Sequence, residues 1–143
     1  MPTAHFSVPA GGAFRGGGVT RLRQRIALQT GWTLQPQAEL PDKPTIRIAI
    51  AKKVKPQPLP DSDESYKLTV DANGVNISAN TRFGALRAME TLLQLVQNGA
   101  ENTSLPWVTI EDAPRFPWRG LLPESAGHFI PIVDNKRQTD GLR

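Results

Sequence analysis

The sequence predicts an α+β domain: a mixed, partly antiparallel β-sheet with helices packed on one face. Three observations carry this. First, SYKLTV (65–70) and GVNISA (74–79) both alternate and are joined through Asn73-Gly74, the strongest short hairpin signal, which demands an antiparallel pair. Second, Asn80–Gln97 places Phe83, Leu86, Met89, Leu92, Leu93 and Val96 at steps of three and four, the period of an amphipathic helix. A helix this apolar needs a sheet to lie on. Third, the order of elements is helix, strand, hairpin, long helix, strand, strand, helix, which fits an α+β layer rather than a repeated βα unit.

Taken in order, residues 1–18 hold five glycines and two prolines and read as a flexible N-terminal loop. Gly16-Gly17-Gly18 lacks the spacing of a phosphate-binding motif and reads as an approach to a helix. Thr20–Thr30 is that helix, capped by Thr20 and closed by Gly31. Val19, Leu22 and Ile26 form its apolar face, with Arg21 and Arg25 opposite. Residues 35–44, with three prolines, read as a linker loop. TIRIAIAK (45–52) is a strand burying Ile46, Ile48 and Ile50. In the hairpin, Tyr66, Leu68 and Val70 share a layer with Val75 and Ile77. Asn80 is the expected N-cap of the long helix and Asn98-Gly99 its stop. Trp107–Ile110 reads as a strand, Leu121-Leu122 as another, and Ile132–Leu142 as a short helix.

Composition narrows the chemistry. The chain has no cysteine, which excludes disulfides and thiol catalysis without fixing a compartment. Two histidines far apart make a zinc site unexpected, and no metal or other cofactor is expected. No run of 18 apolar residues exists, so no membrane partner is expected, and the N-terminus shows no secretory pattern. The net charge of +4 is uneven: residues 1–60 carry nine Lys/Arg against two Asp/Glu, and residues 61–143 eight against eleven. Arg21, Arg23 and Arg25 and the run Lys52-Lys53-Val54-Lys55 are the candidates for nucleic-acid contact. They lack interleaved aromatics for base stacking, so a solvated basic surface is favoured.

Catalytic patterns are weak. Glu111-Asp112 reads as a turn before Pro114, since strand neighbours point to opposite faces and cannot serve one bond together. Ser125, His128 and Asp134 lack the strained elbow of a serine nucleophile. Asp61, Asp63 and Glu64 lack the glycine and terminal glutamate of a calcium loop and read as a solvated turn. Arg119, between Trp118 and Gly120, offers planar donors suited to vicinal hydroxyls or to a carboxylate; a neighbouring acid is its alternative partner.

Two stretches together, TRFGALRAMETLLQLVQ (81–97) and LPWVTIEDAPRFPWRGLL (105–122), resemble glycoside hydrolase family 20, the β-N-acetylhexosaminidases. The resemblance covers roughly Thr45 to Leu142. It implies a non-catalytic α/β domain that precedes a (β/α)8 barrel, with Arg119-Gly120 opening the first barrel strand. It divides the chain into the N-terminal segment 1–18, an accessory domain 19–118, and a remnant of the first barrel strand and helix at 119–143. Pro123, Glu124 and Gly127 stand where the family carries Leu, Asp and Arg, and Asn135 and Thr139 replace apolar residues of the first barrel helix. Proline removes a ladder donor and polar residues suit exposure, so the departures suggest a domain isolated from its barrel, natural or engineered.

The family's catalytic Asp-Glu pair lies late in the barrel, outside these residues. No catalytic residue is therefore expected here. The resemblance assigns Arg119 to a sugar-hydroxyl contact. The implied function is structural, with the missing barrel as partner and no activity alone. Residual glycosidase activity in a dimer and a nucleic-acid or surface-binding module are the alternatives. An uncovered sheet face or edge predicts self-association, with residues 119–143 packing across a dimer.

Overall fold

A computed structural model describes residues 3–7, 17–31, 33–36, 46–52, 54–55, 57–98, 103–120, 127 and 129–141. Its elements are β1 (Thr3–Ser7), α1 (Gly17–Thr30), β2 (Thr33–Pro36), β3 (Ile46–Ile50), β4 (Tyr66–Asp71), β5 (Gly74–Ala79), α2 (Arg82–Leu95), β6 (Gln97–Asn98), β7 (Thr103–Ser104), β8 (Val108–Asp112) and α3 (Ile132–Gly141). The predicted α+β class holds. Six strands form a mixed sheet in the order β2-β1-β3-β5-β4-β8, and β6 and β7 form a separate small ribbon. β2, β1, β3 and β5 run parallel to one another, whereas β4 is antiparallel to both β5 and β8.

The alternation read in the sequence determines which side is covered. Ile46, Ile48, Tyr66, Leu68, Val70, Val75 and Ile77 are buried, together with Leu22 and Ile26 of α1 and Ala85, Ala88, Met89, Leu92 and Leu93 of α2, in one core. The opposite face carries Arg47, Lys67, Ser78, Thr109 and Glu111, all exposed. This is the hydrophobic-in, polar-out division of a half-covered sheet. Among the described residues of β3, β4, β5 and β8, the uncovered face is largely polar.

Two expectations of loop give way to strand. Residues 3–7, within the expected N-terminal loop, form β1, and residues 33–36, which overlap the expected linker, form β2. With α1 between them they make a parallel β-α-β unit. Parallel neighbours are brought together by a crossover, so their pairing leaves no local hairpin signal. Pro36 is tolerated because β2 is an edge strand.

The hairpin turn is subtler than the Asn-Gly pair suggests. Asp71 pairs with Gly74, leaving Ala72 and Asn73 as the turn. No non-glycine residue among those described has positive φ, whereas Gly74 stands at +109°. A turn with both central residues at positive φ is therefore absent. Asp71 instead accepts a bond from the Asn73 amide at 2.7 Å, and Gly74 takes the position where the chain must leave the turn left-handed.

Helix ends also shift by a residue or more. α1 begins at Gly17, ahead of the expected Thr20 cap, and closes as predicted at Gly31, with φ +71° and an amide bonded to Ala27 O at 2.9 Å. Thr81, not Asn80, caps α2: its hydroxyl accepts from the amides of Phe83 at 3.2 Å and Gly84 at 3.4 Å. Asn80 is diverted to Asp63, donating at 2.8 Å. α2 stops at Leu95, and Gln97-Asn98 enter β6. Gly84 lets α2 lie close on the sheet, since a Cβ there would sit 2.2 Å from Ser65 O.

The chain beyond β8 differs. The Leu121-Leu122 strand, Pro123, Glu124, Ser125 and His128 lie outside the described residues. α3 forms where a short helix is predicted. Asn135 is half-buried in it, while Ile132 and Val133 are exposed. Asn135 is thus not on the more exposed side, contrary to the expectation of a water-facing replacement.

Candidate functional site

Four of the polar residues singled out from the sequence, Arg21, Arg25, Glu64 and Arg119, come together around α1, α2 and the loop before β4. Glu64 closes that loop. Arg87, one turn into α2, approaches it with two nitrogens: Nε to Oε2 at 3.2 Å and Nη2 to Oε1 at 3.3 Å. Arg119, 55 residues away in sequence, also donates to Glu64 Oε2 and to the carbonyl of Phe116. The Glu64 side chain is 15% exposed, against 42% for Arg87 and 37% for Arg119. Burial pushes the Glu64 carboxyl up, but the bonds and charges of Arg87 and Arg119 outweigh it and hold the group below its usual range. Glu64 is thus an ion-pair hub and not part of a solvated turn. The structure places Arg119 on a neighbouring acid, the alternative left open in its sequence.

Asp63 of that loop is structural as well. Asp63 accepts from the Ser65 amide at 2.9 Å, from the Ser65 hydroxyl and from Asn80. These bonds, Ser65 first, lower its carboxyl. Thr81, buried at the N-terminus of α2, donates its hydroxyl proton to Asp63 O. The loop is thereby fastened to the N-terminus of α2.

Beside this junction lies a cleft of about 490 Å³ lined by Gly17, Arg21, Glu64, Arg82, Arg87 and Glu90, among others. Arg21 and Arg25 do not project to the solvated side of α1. Both bind Glu90 of α2, Arg25 Nη1 to Oε2 at 3.0 Å. Arg82 lies over the ring of Phe83 at 5.5 Å. A second cleft, of about 530 Å³, opens at the end of β4, β5 and β8 and includes Tyr66, Lys67, Glu111 and Asp112.

Glu111 and Asp112 belong to β8 rather than to a turn. Their pairing with β4 extends the strand: Glu111 stands opposite Lys67 and binds it, and Asp112 stands opposite Tyr66. The Tyr66 hydroxyl donates to Asp112 at 3.3 Å and bonds Thr91 at 2.6 Å. Burial raises the Tyr66 hydroxyl above its usual range; the bond with Thr91 opposes the rise, and Asp112 adds to it. As the alternation requires, the two carboxylates serve different neighbours. Asp134 is 3.5 Å from Arg137, and its postulated partners Ser125 and His128 lie outside the described residues. Among the described residues no three His, Asp or Glu side chains could hold a metal, and no helix is long and apolar enough to cross a membrane.

These paired clusters occur in a domain with known relatives. The family described as "beta-acetyl hexosaminidase like" matches residues 22–95. The chain belongs to this family. The hexosaminidase-like domain is 39% identical over 111 residues to beta-hexosaminidase subunit beta of Rattus norvegicus, covering 73% of this chain and 21% of the relative. It is 45% identical over 71 residues to beta-hexosaminidase subunit A1 of Dictyostelium discoideum, covering 48% and 13%. Among solved structures, the Flavobacterium johnsoniae chitobiase aligns with TM-score 0.77 and 36% identity, covering 99% of this chain and 22% of that one. The Streptomyces plicatus N-acetyl-beta-hexosaminidase aligns with TM-score 0.67 and 27% identity, over 96% and 27%. The hexosaminidase-like chain therefore spans about a fifth of the rat relative and of the chitobiase. It corresponds to one domain of a larger glycoside hydrolase family 20 enzyme.

Sequence reasoning missed Arg87, Thr81 and Gly84, and misread Glu64 as part of a solvated turn. Thr81 had a signal, a hydroxyl just before the first periodic residue. Gly84 had one too, as a glycine inside a helical pattern. Glu64 and Arg87 had none, because their partners are distant in sequence.

Proposed function

We propose that this chain is a non-catalytic structural domain of a β-N-acetylhexosaminidase, an enzyme that hydrolyses terminal N-acetylhexosamine, and that it has no activity alone. The observation that supports this most is its alignment, over nearly its whole length, with about a fifth of a chitobiase. The internal pairing of its carboxylates supports it too. Glu64, Glu90, Glu111 and Asp112 each hold a neighbouring side chain, whereas a glycosidase needs a carboxyl group facing the scissile bond, partnered by a second carboxylate or by an attacking group of the substrate. The partner in this reading is a (β/α)8 barrel. A chromogenic N-acetylglucosaminide supplies the test. The chain alone is expected to show no turnover, and turnover that survives purification and is lost in Arg119→Ala would overturn the reading.

The sugar contact implied for Arg119 is a second reading, favoured by its 37% exposure. It requires donors not already spent on Glu64 and Phe116. Self-association is proposed through exposed Trp107, Phe116, Trp118 and Phe129; a monomer mass by light scattering at every concentration would exclude it. A nucleic-acid module draws little from Arg21 and Arg25, which serve Glu90.

A further inference from the structure

We propose that Glu64 is a positioning residue: bound to Arg87 on one side and Arg119 on the other, it latches the segment 113–120 to the folded domain and sets the direction in which the chain leaves it. The need for a latch follows from the sheet. β8 ends at Asp112, and ladder bonds end with it. The large apolar side chains that follow do not anchor the chain: Phe116 is 63% and Trp118 79% exposed. Arg119 does reach back. Its guanidinium joins Glu64 and the Phe116 carbonyl at once, which ties the segment both to the domain and to itself.

The geometry distinguishes this from an ordinary surface pair, which contributes little because both ends are solvated and mobile. The acceptor here is the most covered member of the trio. It is also held from a second side, by the two-nitrogen grip of Arg87 from α2. A carboxylate has room for about four donors, so a second guanidinium can share it. Planar donors suit that sharing better than an ammonium. The consequence for an attached catalytic domain, namely a fixed exit angle, rests on the accessory-domain reading; the latch itself does not.

Trypsin reads the latch directly, since cleavage after Arg119 requires its guanidinium to leave Glu64 and enter the protease. In the 143-residue chain, Glu64→Gln is expected to raise the cleavage rate at Arg119–Gly120 roughly tenfold, the factor a charge-assisted contact supplies. Cleavage after Arg137, 79% exposed and apart from the trio, should not change. An unaltered Arg119 rate in a variant with unaltered thermal midpoint overturns the proposal. If Glu64→Gln loses its circular-dichroism signature, Glu64→Asp decides. It keeps a carboxylate beside Arg87 and leaves Arg119 as the tryptic site, but shortens the reach to Arg119 by one methylene, so Arg119 must again be cut faster, an unchanged rate overturning the proposal. The glycosidase assay is independent of this result, so failure of the latch and failure of the accessory-domain reading are separable.

Discussion

The hairpin and α2 on one side, and the chain after β8 on the other, use apolar residues in opposite ways. In the first region Leu68, Ala85 and Ala88 are wholly buried. In the second Trp118 and Phe129 are each 79% exposed and Ile132 is 72% exposed. The first region is stabilised by its own packing, through a non-directional burial of area. The second is fastened to the domain by directional charge contacts at Glu64. Hydrophobicity in a sequence thus marks a core in one half and an uncovered surface in the other.

The contrast breaks most visibly at Leu68. Leu68→Ala removes a fully buried side chain and is expected to cost about 2–5 kcal/mol, seen as a lower urea midpoint with the slope retained. A cost below about 1 kcal/mol would mean that the core is looser than its burial indicates. Gly84→Ala should come next, at about 1–3 kcal/mol, because the added methyl meets the Ser65 carbonyl and α2 must lift. The same substitution at an exposed helix site stabilises, so a gain in melting temperature would refute the close approach.

Acid sharpens the comparison in the second region. Glu64 lies below its usual value of 4.5 when folded, so the unfolded chain takes up its proton first as pH falls. The latch contribution is complete above that value and is lost as pH drops through the depressed folded one. Carbon-13 titration of the Glu64 carboxyl should give a midpoint under 4.5, and one at or above it would remove the argument. The smallest effect is expected for Trp118→Ser, within about 0.5 kcal/mol in this chain by thermal melting. A large loss there would show that the exposed arm packs as a core after all.

The residues differ in how legible they were. The hairpin and α2 could be read because each depends on neighbours a few positions apart. Even there the turn misled, since Asp71 and the single positive φ at Gly74 select a different turn from the one Asn-Gly usually makes. β1 and β2 could not be read, as short segments whose partners arrive through a crossover. Arg21 and Arg25 looked like a basic surface because Glu90 lies more than 60 residues on.

The sequence by itself determined the α+β class, the buried face of β3, β4, β5 and α2, and the family, because periodicity and local motifs are written in adjacent residues. The tertiary structure alone decided which charges meet. Glu64 joins a loop, a helix and the departing chain, and Arg119 becomes its partner through a fold that brings residues 55 apart within bonding distance. Charge pairing depends on where side chains end in space, and no period in the sequence records that.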